Sequence, residues 1–242
     1  MQLKEYNGKN IKLCNKSLYK GTAVKGVLFD MDGIVLDTEK LYTRFWQEAA
    51  ISLGYSMTRE QALGMRSLSR EAGEAQLKKF LGQEVDYQVV RNRRIELMNA
   101  YINENGVEAK PGICELLEYL KANKIKTSIA TSSPLDRTKT YLSYIGLRDA
   151  FDELVSGHMV EKGKPEPDIY LYAASKLGLK PEECLVLEDS PTGILAAYRA
   201  GCIPVMIPDQ DEPDEKTMEM MYAVVNSLDD VSDLFFSLLK LS

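Results

Sequence analysis

The sequence predicts an α/β protein, a doubly wound parallel sheet with a helical block inserted after its first strand. Three observations predict it. From Pro111 onward, short apolar runs alternate with amphipathic segments, the pattern of the strand–helix–strand units that build parallel sheets. The run Val27-Leu28-Phe29 is apolar at every position instead of alternating, as strands buried on both faces are. Residues 38–105 show helical periodicity and nothing that reads as a strand, so they interrupt the alternation.

Residues 1–21 are polar and Lys-rich and are expected to form an extension before the first strand, with no assigned function. The first strand runs from about Lys25 to Phe29. The insert opens with Leu41, Phe45, Ala49 and Leu53 at four-residue spacing, an amphipathic helix face, with Trp46 read as core. Thr58-Arg59-Glu60-Gln61 has the form of a capping box, and Ile95, Met98 and Ile102 mark a later helix. Pro111 is expected to open a helix through Leu116, Leu117 and Leu120. Thr127–Ala130 is a strand, Ser133-Pro134 starts a helix that stops at Gly146, and Glu153–Val155 is a short strand. A helix from Pro167 stops at Gly178, followed by strand Leu185–Leu187, helix Pro191–Ala200 and strand Val205–Ile207. A helix with Met218 and Met221, strand Ala223–Val225 and a helix through Leu234 and Leu238 complete the chain. The expected organisation is an extension at 1–21, a core at 22–37 and 106–242, and a helical domain at 38–105.

Composition limits the function. Of the 242 residues, 45% are hydrophobic and 27% charged, ordinary for a globular enzyme whose core needs neither metal nor disulfide to fold. A net charge of −6, a pI near 5.1 and the lack of a basic stripe argue against nucleic acid and anionic membrane as partners. Cys14, Cys114, Cys184 and Cys202 are far apart and read as reduced residues of a cytoplasmic protein. A zinc centre needs clustered ligands, and the one histidine, His158, is expected in a loop. No apolar run approaches the ~18 residues of a membrane span, and the first ten residues show no secretory apolar region. A cytoplasmic monomer is expected.

In a parallel sheet the strand C-termini share one edge, where open α/β sheets bind their ligands. The first strand ends in Asp30-Met31-Asp32-Gly33 and the second in Thr131-Ser132-Ser133-Pro134. Gly163-Lys164-Pro165-Glu166-Pro167-Asp168 follows the third, and Glu188-Asp189-Ser190-Pro191 ends the fourth. A carboxylate on such an edge can attack phosphorus, and a neighbour two residues on can act as general acid and base. Gathered carboxylates repel unless a cation sits among them, and hard oxygen donors with room for water and phosphate suit Mg²⁺. Lys164, the Thr131 hydroxyl and the amides at Ser133-Pro134 and Ser190-Pro191, both read as helix caps, can hold a phosphate.

Other readings compete. Asp30-Met31-Asp32-Gly33 alone is equally a strand followed by an Asp-Gly turn. Gly157 and Gly163-Lys164-Pro165 mimic a P-loop, but the spacing is one too long and Pro replaces Ser/Thr. There is no G-x-S-x-G, and one histidine disfavours a Ser-His-Asp site. A phospho-acceptor signalling module also uses carboxylates, Mg²⁺, a hydroxyl and a lysine on a parallel sheet. Its acidic pair and acceptor lie on different strands, whereas Asp30 and Asp32 share one, and a helical insert would be useless to a simple switch.

These motifs, taken in order, resemble those of the haloacid dehalogenase superfamily, in the branch of β-phosphoglucomutase-like phosphatases. Asp30-Met31-Asp32-Gly33, Thr131, Lys164-Pro165-x-Pro167-Asp168 and Glu188-Asp189-Ser190 match over about Val24 to Leu234. The resemblance implies a Rossmann-like core with a mobile helical cap, and a small phosphorylated metabolite as substrate. It implies Asp30 as nucleophile and Asp32 as general acid/base, with Thr131 and Lys164 binding the transferring phosphoryl group. It also implies Mg²⁺ held by Asp30, the Asp32 carbonyl, Glu188 and Asp189. Ser132 is a further phosphate-binding candidate, and Tyr42, Gly64 and Arg66 are candidates on the cap. Mutases of this branch carry a histidine after the Asp-Thr pair; here that place falls on Tyr42, within Asp37-Thr38-Glu39-Lys40-Leu41-Tyr42. Hydrolysis of a sugar phosphate or nucleotide-like monoester is therefore expected ahead of a phosphosugar mutase.

Overall fold

The computed structural model describes residues 11–18, 21, 23–65, 68, 70–209 and 213–239. They divide into two compact units, one of Met1–Asp37 with Glu108–Ser242 and one of Thr38–Val107. The larger unit begins with β1 (Lys12–Leu13) and β2 (Gly26–Phe29). The smaller holds α1 (Glu39–Ser52), α2 (Arg59–Leu63), α3 (Arg70–Leu81) and α4 (Tyr87–Asn105), with no strand among its described residues. The larger unit resumes with α5 (Ile113–Ala122), β3 (Lys126–Thr131), α6 (Leu135–Tyr144) and β4 (Glu153–Ser156). It continues through α7 (Asp168–Lys176), β5 (Cys184–Glu188), α8 (Pro191–Arg199) and β6 (Ile203–Met206). It ends with α9 (Glu215–Glu219), β7 (Ala223–Val224) and α10 (Asp229–Leu239).

Among the described residues seven strands form one sheet, in the order β1-β7-β6-β5-β2-β3-β4. From β2 the chain builds outward through β3 and β4, then returns to β5 on the other side and builds outward through β6 and β7. The reversal lies at β2, so a crevice opens beside its C-terminal end. Its four residues are fully buried, which is why the sequence shows an unbroken apolar run. Leu28, Ala130, Val155 and Val186 of the sheet meet Ile169, Tyr170 and Ala173 of α7 and Ala196 and Ala197 of α8 in one core cluster.

Four expectations need correction. The extension expected before the first strand itself holds a strand: Lys12 and Leu13 pair antiparallel with Val224 and Ala223, closing the β7 edge. The sheet is thus parallel except at that edge. Pro111 does not open α5, which starts at Ile113 behind Gly112; Gly112 has φ +87°, and a Cβ there would press on the Asp229 carboxylate. Ser133 does not cap α6, whose N-cap is Pro134, so the Ser133 hydroxyl is available elsewhere. His158, expected in a loop, lies in a single 3₁₀ turn, Gly157–Met159.

In the smaller unit α1 buries Leu41, Phe45, Trp46, Ala49 and Ala50, and Leu53, expected on the same face, lies past the helix end as its C-cap. Ile95, Met98 and Ile102 all fall on α4, which buries Met98 and Ile102. The capping box is made as read: Gln61 N donates to Thr58 Oγ1 at 3.2 Å, and Thr58 N to Gln61 Oε1 at 2.9 Å. Arg94 of α4, 6% exposed, lies against the Tyr42 and Trp46 rings, 4.8 and 5.3 Å from their centroids.

Candidate active site

Strand register decides what meets at the C-terminal edge. Phe29 lies level with Ile129 on β3 and Leu187 on β5. The residues just beyond that level, Asp30, Ala130-Thr131 and Glu188, therefore come out side by side. The loop after β4 brings Lys164 to them. Its ammonium donates to Asp30 Oδ1 at 2.5 Å, to Glu188 Oε1 at 2.6 Å and to the Ala130 carbonyl at 3.1 Å. An ammonium has three protons, and all are engaged. The loop is held in turn by Lys162 N donating to Asp168 Oδ1 at 3.3 Å and Glu166 N to the Gly163 carbonyl at 3.0 Å. Within Lys164-Pro165-Glu166-Pro167-Asp168 the aspartate thus fixes the loop that presents the lysine.

Glu188 is 1% exposed and hydrogen-bonded on both oxygens. Oε1 also accepts from the Tyr170 hydroxyl at 2.5 Å, and Oε2 accepts from Ser190 Oγ at 3.1 Å and Ser190 N at 3.4 Å. Ser190 is the N-cap of α8, with Pro191 at N1 and its Oγ accepting from Gly193 N at 3.1 Å. Gly193 is required by space: a Cβ there would overlap the Glu188 carboxylate. Gly33 is required twice, by φ +86° and because a Cβ would overlap the Asp189 carboxylate.

One carboxylate oxygen from each of Asp30, Glu188 and Asp189 lies within 4.8 Å of the others. Three hard oxygen donors so placed fit a divalent cation of the Mg²⁺ or Ca²⁺ kind. The Asp32 side chain is not one of the three; its Oδ2 accepts from Ser133 Oγ at 3.2 Å, and the Ser133 carbonyl accepts from Ser156 Oγ at 2.7 Å. Thr131 is buried, and its Oγ1 accepts from Ser133 N at 3.1 Å, which leaves its own proton to donate. Ser132 is exposed beside it.

Burial pushes the Asp30 carboxyl up to about 7; the Lys164 ammonium opposes the rise, and Glu188 and Asp32 add to it. For Lys164, burial pulls downward, but the Asp30 and Glu188 carboxylates outweigh it and hold the ammonium well above its ordinary value. Burial, then the Glu188 charge, keeps the Tyr170 phenol protonated. The site thus holds one fixed cation against a surplus of buried carboxylates, and a second cation would relieve it.

The structure therefore brings Asp30, Asp32, Thr131, Lys164, Glu188 and Asp189 to one edge of the larger unit. The cap candidates belong to the smaller unit. Tyr42 stacks on Arg94, Gly64 is the C-cap of α2 with the Phe80 ring 3.2 Å from where its Cβ would be, and Arg66 lies outside the described residues. Ser133 and Tyr170 were not singled out as site residues by sequence reasoning. Ser133 read as a cap, and Tyr170 is an ordinary aromatic two residues past Asp168, with only α7's packing against the sheet to turn it toward Glu188.

Comparison with known proteins places this geometry in a family. The model of haloacid dehalogenase-like hydrolases matches residues 27–207. A phosphorylated carbohydrates phosphatase of Thermotoga maritima is 32% identical over 207 residues, 86% of this chain and 88% of that protein. A β-phosphoglucomutase of Bacillus subtilis is 30% identical over 190 residues, 75% of this chain and 82% of that one. The crystal structure of a HAD family hydrolase from Deinococcus radiodurans, with bound phosphate and sodium, superposes with a TM-score of 0.72 at 26% identity. It covers 90% of this chain and 97% of its own. With the Asp30 strand, the lysine loop and the paired acidic residues on one edge, the chain belongs to the haloacid dehalogenase-like hydrolases, in their β-phosphoglucomutase-like phosphatase branch.

Proposed function

We propose that the protein is a Mg²⁺-dependent phosphatase that hydrolyses a small phosphorylated metabolite, a sugar phosphate or nucleotide-like monoester, through an aspartyl-phosphate on Asp30. The observation that carries this is the Lys164 ammonium, bound at once to Asp30 and Glu188 with Asp189 alongside. A charge that can offset phosphate already touches the nucleophile. Asp30, the Asp32 carbonyl, Glu188 and Asp189 are the groups that would hold Mg²⁺, which supplies charge stabilisation to the phosphoryl oxygens.

The chain's own residues do the rest. An Asp30 carboxylate oxygen bonds to phosphorus as the bond to the leaving oxygen breaks, and Asp32 gives that oxygen a proton. Asp32 then takes a proton from water, whose oxygen attacks phosphorus and releases inorganic phosphate from Asp30. Ser133 orients Asp32 for both transfers. Thr131, Ser132 and Lys164 hold the phosphoryl oxygens, and Tyr42, Gly64 and Arg66 of the cap are the candidates for binding the rest of the substrate. The protein works as a cytoplasmic monomer.

A screen of phosphorylated metabolites with and without Mg²⁺ tests the reading: phosphate release should stop in excess chelator and return with Mg²⁺. Full activity in chelator removes the metal from the reaction. The similarity to a β-phosphoglucomutase supports a second reading, phosphosugar mutation. Phosphorus NMR with β-glucose 1-phosphate and a trace of glucose 1,6-bisphosphate separates them. Conversion to glucose 6-phosphate with little free phosphate makes the protein a mutase.

A further inference from the structure

Tyr170 stands apart from every motif that carries the chemistry, yet it reaches the middle of the site. It lies on the first turn of α7, fully buried in the core cluster beneath the sheet edge. Its hydroxyl donates to Glu188 Oε1 at 2.5 Å, and its ring centroid is 5.0 Å from Lys164 Nζ. The oxygen it binds is the one the Lys164 ammonium also binds, at 2.6 Å. One side chain therefore supports both partners of the buried ion pair, the carboxylate through its hydroxyl and the ammonium through its ring face.

We propose that Tyr170 is a positioning residue that sets the orientation of the Glu188 carboxylate for the metal and keeps the Lys164 ammonium between Glu188 and Asp30. The inference rests on the metal site read above and adds a determinant to it. Glu188 has two well-placed acceptors to fix. Ser190 holds Oε2 from the α8 side, and Gly193 leaves room for the group but gives it no side-chain support. On the Oε1 side the donors are Lys164, on a long flexible stem, and Tyr170, a phenol on a rigid ring wedged in the core. The rigid donor decides where the flexible one rests. Hydrogen-bond partners of metal-binding carboxylates change metal affinity or activity by about 10- to 100-fold when removed.

The test is Tyr170→Phe, which keeps the ring and its packing and removes only the hydroxyl. Mg²⁺ binding to wild type and variant is measured by isothermal titration calorimetry on the full-length, substrate-free protein, and thermal unfolding of the chelated forms is measured in parallel. The expected result is Mg²⁺ binding weakened about tenfold or more, with the chelated melting temperature nearly unchanged, kcat lowered and KM little altered. Adding Tyr170→Phe to Glu188→Gln should change the Mg²⁺ constant little further, because the hydroxyl acts through that carboxylate. Wild-type binding with an unaltered constant in Tyr170→Phe overturns this inference alone. No Mg²⁺ binding by wild type overturns the metal reading and this inference with it. Should the variant fail to fold, proton NMR of wild type labelled with ¹³C-tyrosine decides. A slowly exchanging, far-downfield hydroxyl proton that shifts on adding Mg²⁺ is expected, and a tyrosine spectrum indifferent to Mg²⁺ overturns the inference.

Discussion

Asp30 has a lysine against it and the Glu188, Asp189 and Asp32 carboxylates near it, and that imbalance makes its behaviour with pH predictable. Its carboxyl is raised from an ordinary 3.8 to about 7 in the metal-free protein. A raised carboxyl favours the folded state while protonated, so that contribution is complete below about pH 4 and is lost as pH rises through about 7. Metal requires the ionised form and competes with the proton. Mg²⁺ should therefore raise the melting temperature more at ~pH 7.5 than at ~pH 5; an equal increment at both would place the ion away from Asp30. Asp30→Asn should reduce turnover by at least ~10³-fold while the fold persists, read by circular dichroism and steady-state kinetics. Asp32→Asn should slow turnover by ~10²–10⁴-fold, with an aryl phosphate still able to phosphorylate Asp30 because its leaving group needs no proton. Gly193→Ala is the sharpest space test. Its methyl must displace the Glu188 carboxylate, so it should weaken Mg²⁺ binding by tenfold or more although alanine suits a helix better than glycine.

At the scale of elements, the legible parts were those with a repeating physical demand. β2 and β5 are buried at every position, so burial made Val27–Phe29 and Cys184–Leu187 continuous apolar runs, whereas β3 is buried from Thr127 to Thr131 although only Ile129 and Ala130 of it are apolar. The C-terminal edge could be assembled from sequence because Asp30 and Glu188 directly follow such runs and Thr131 follows the strand between Thr127 and Ala130. Helix starts were less legible. Ser133-Pro134 and Ser190-Pro191 look alike, yet only Ser190 caps its helix; one more residue of extended chain at Pro134 turns the Ser133 hydroxyl toward Asp32 instead. Tyr170 and Arg94 were hidden for a different reason. Each is a long side chain whose role depends on what a neighbouring element presents, and spacing along one helix does not carry that. The Ser190 cap has two tasks, so Ser190→Ala should cost about 1 kcal/mol of stability from the cap and lower activity as well. Thr58→Ala should cost a similar ~1 kcal/mol with activity on a small aryl phosphate unchanged, since its capping box lies in the smaller unit. Equal activity losses in the two variants would argue that capping alone matters.

For the whole molecule, the alternating pattern after Pro111 was enough to give a doubly wound core interrupted once by helices. The antiparallel edge was not legible, because a two-residue strand has no period to detect. That edge has a kinetic consequence. Cys14 N donates to the Tyr222 carbonyl at 2.9 Å and the Asn15 side chain to the Glu219 carbonyl at 2.8 Å, the latter joining positions 204 apart in the chain. Closing a loop of that length costs on the order of 5 kcal/mol of chain entropy, and two strand residues return little of it until β7 is already laid on β6. The N-terminal strand should dock last during refolding and open first in the native state. Hydrogen–deuterium exchange should show it: the Cys14 amide exchanging through local fraying, and the Asp30 amide, bonded to Leu187 in the middle of the sheet, only through global unfolding. Matching exchange rates at the two amides would mean the sheet closes as one cooperative unit.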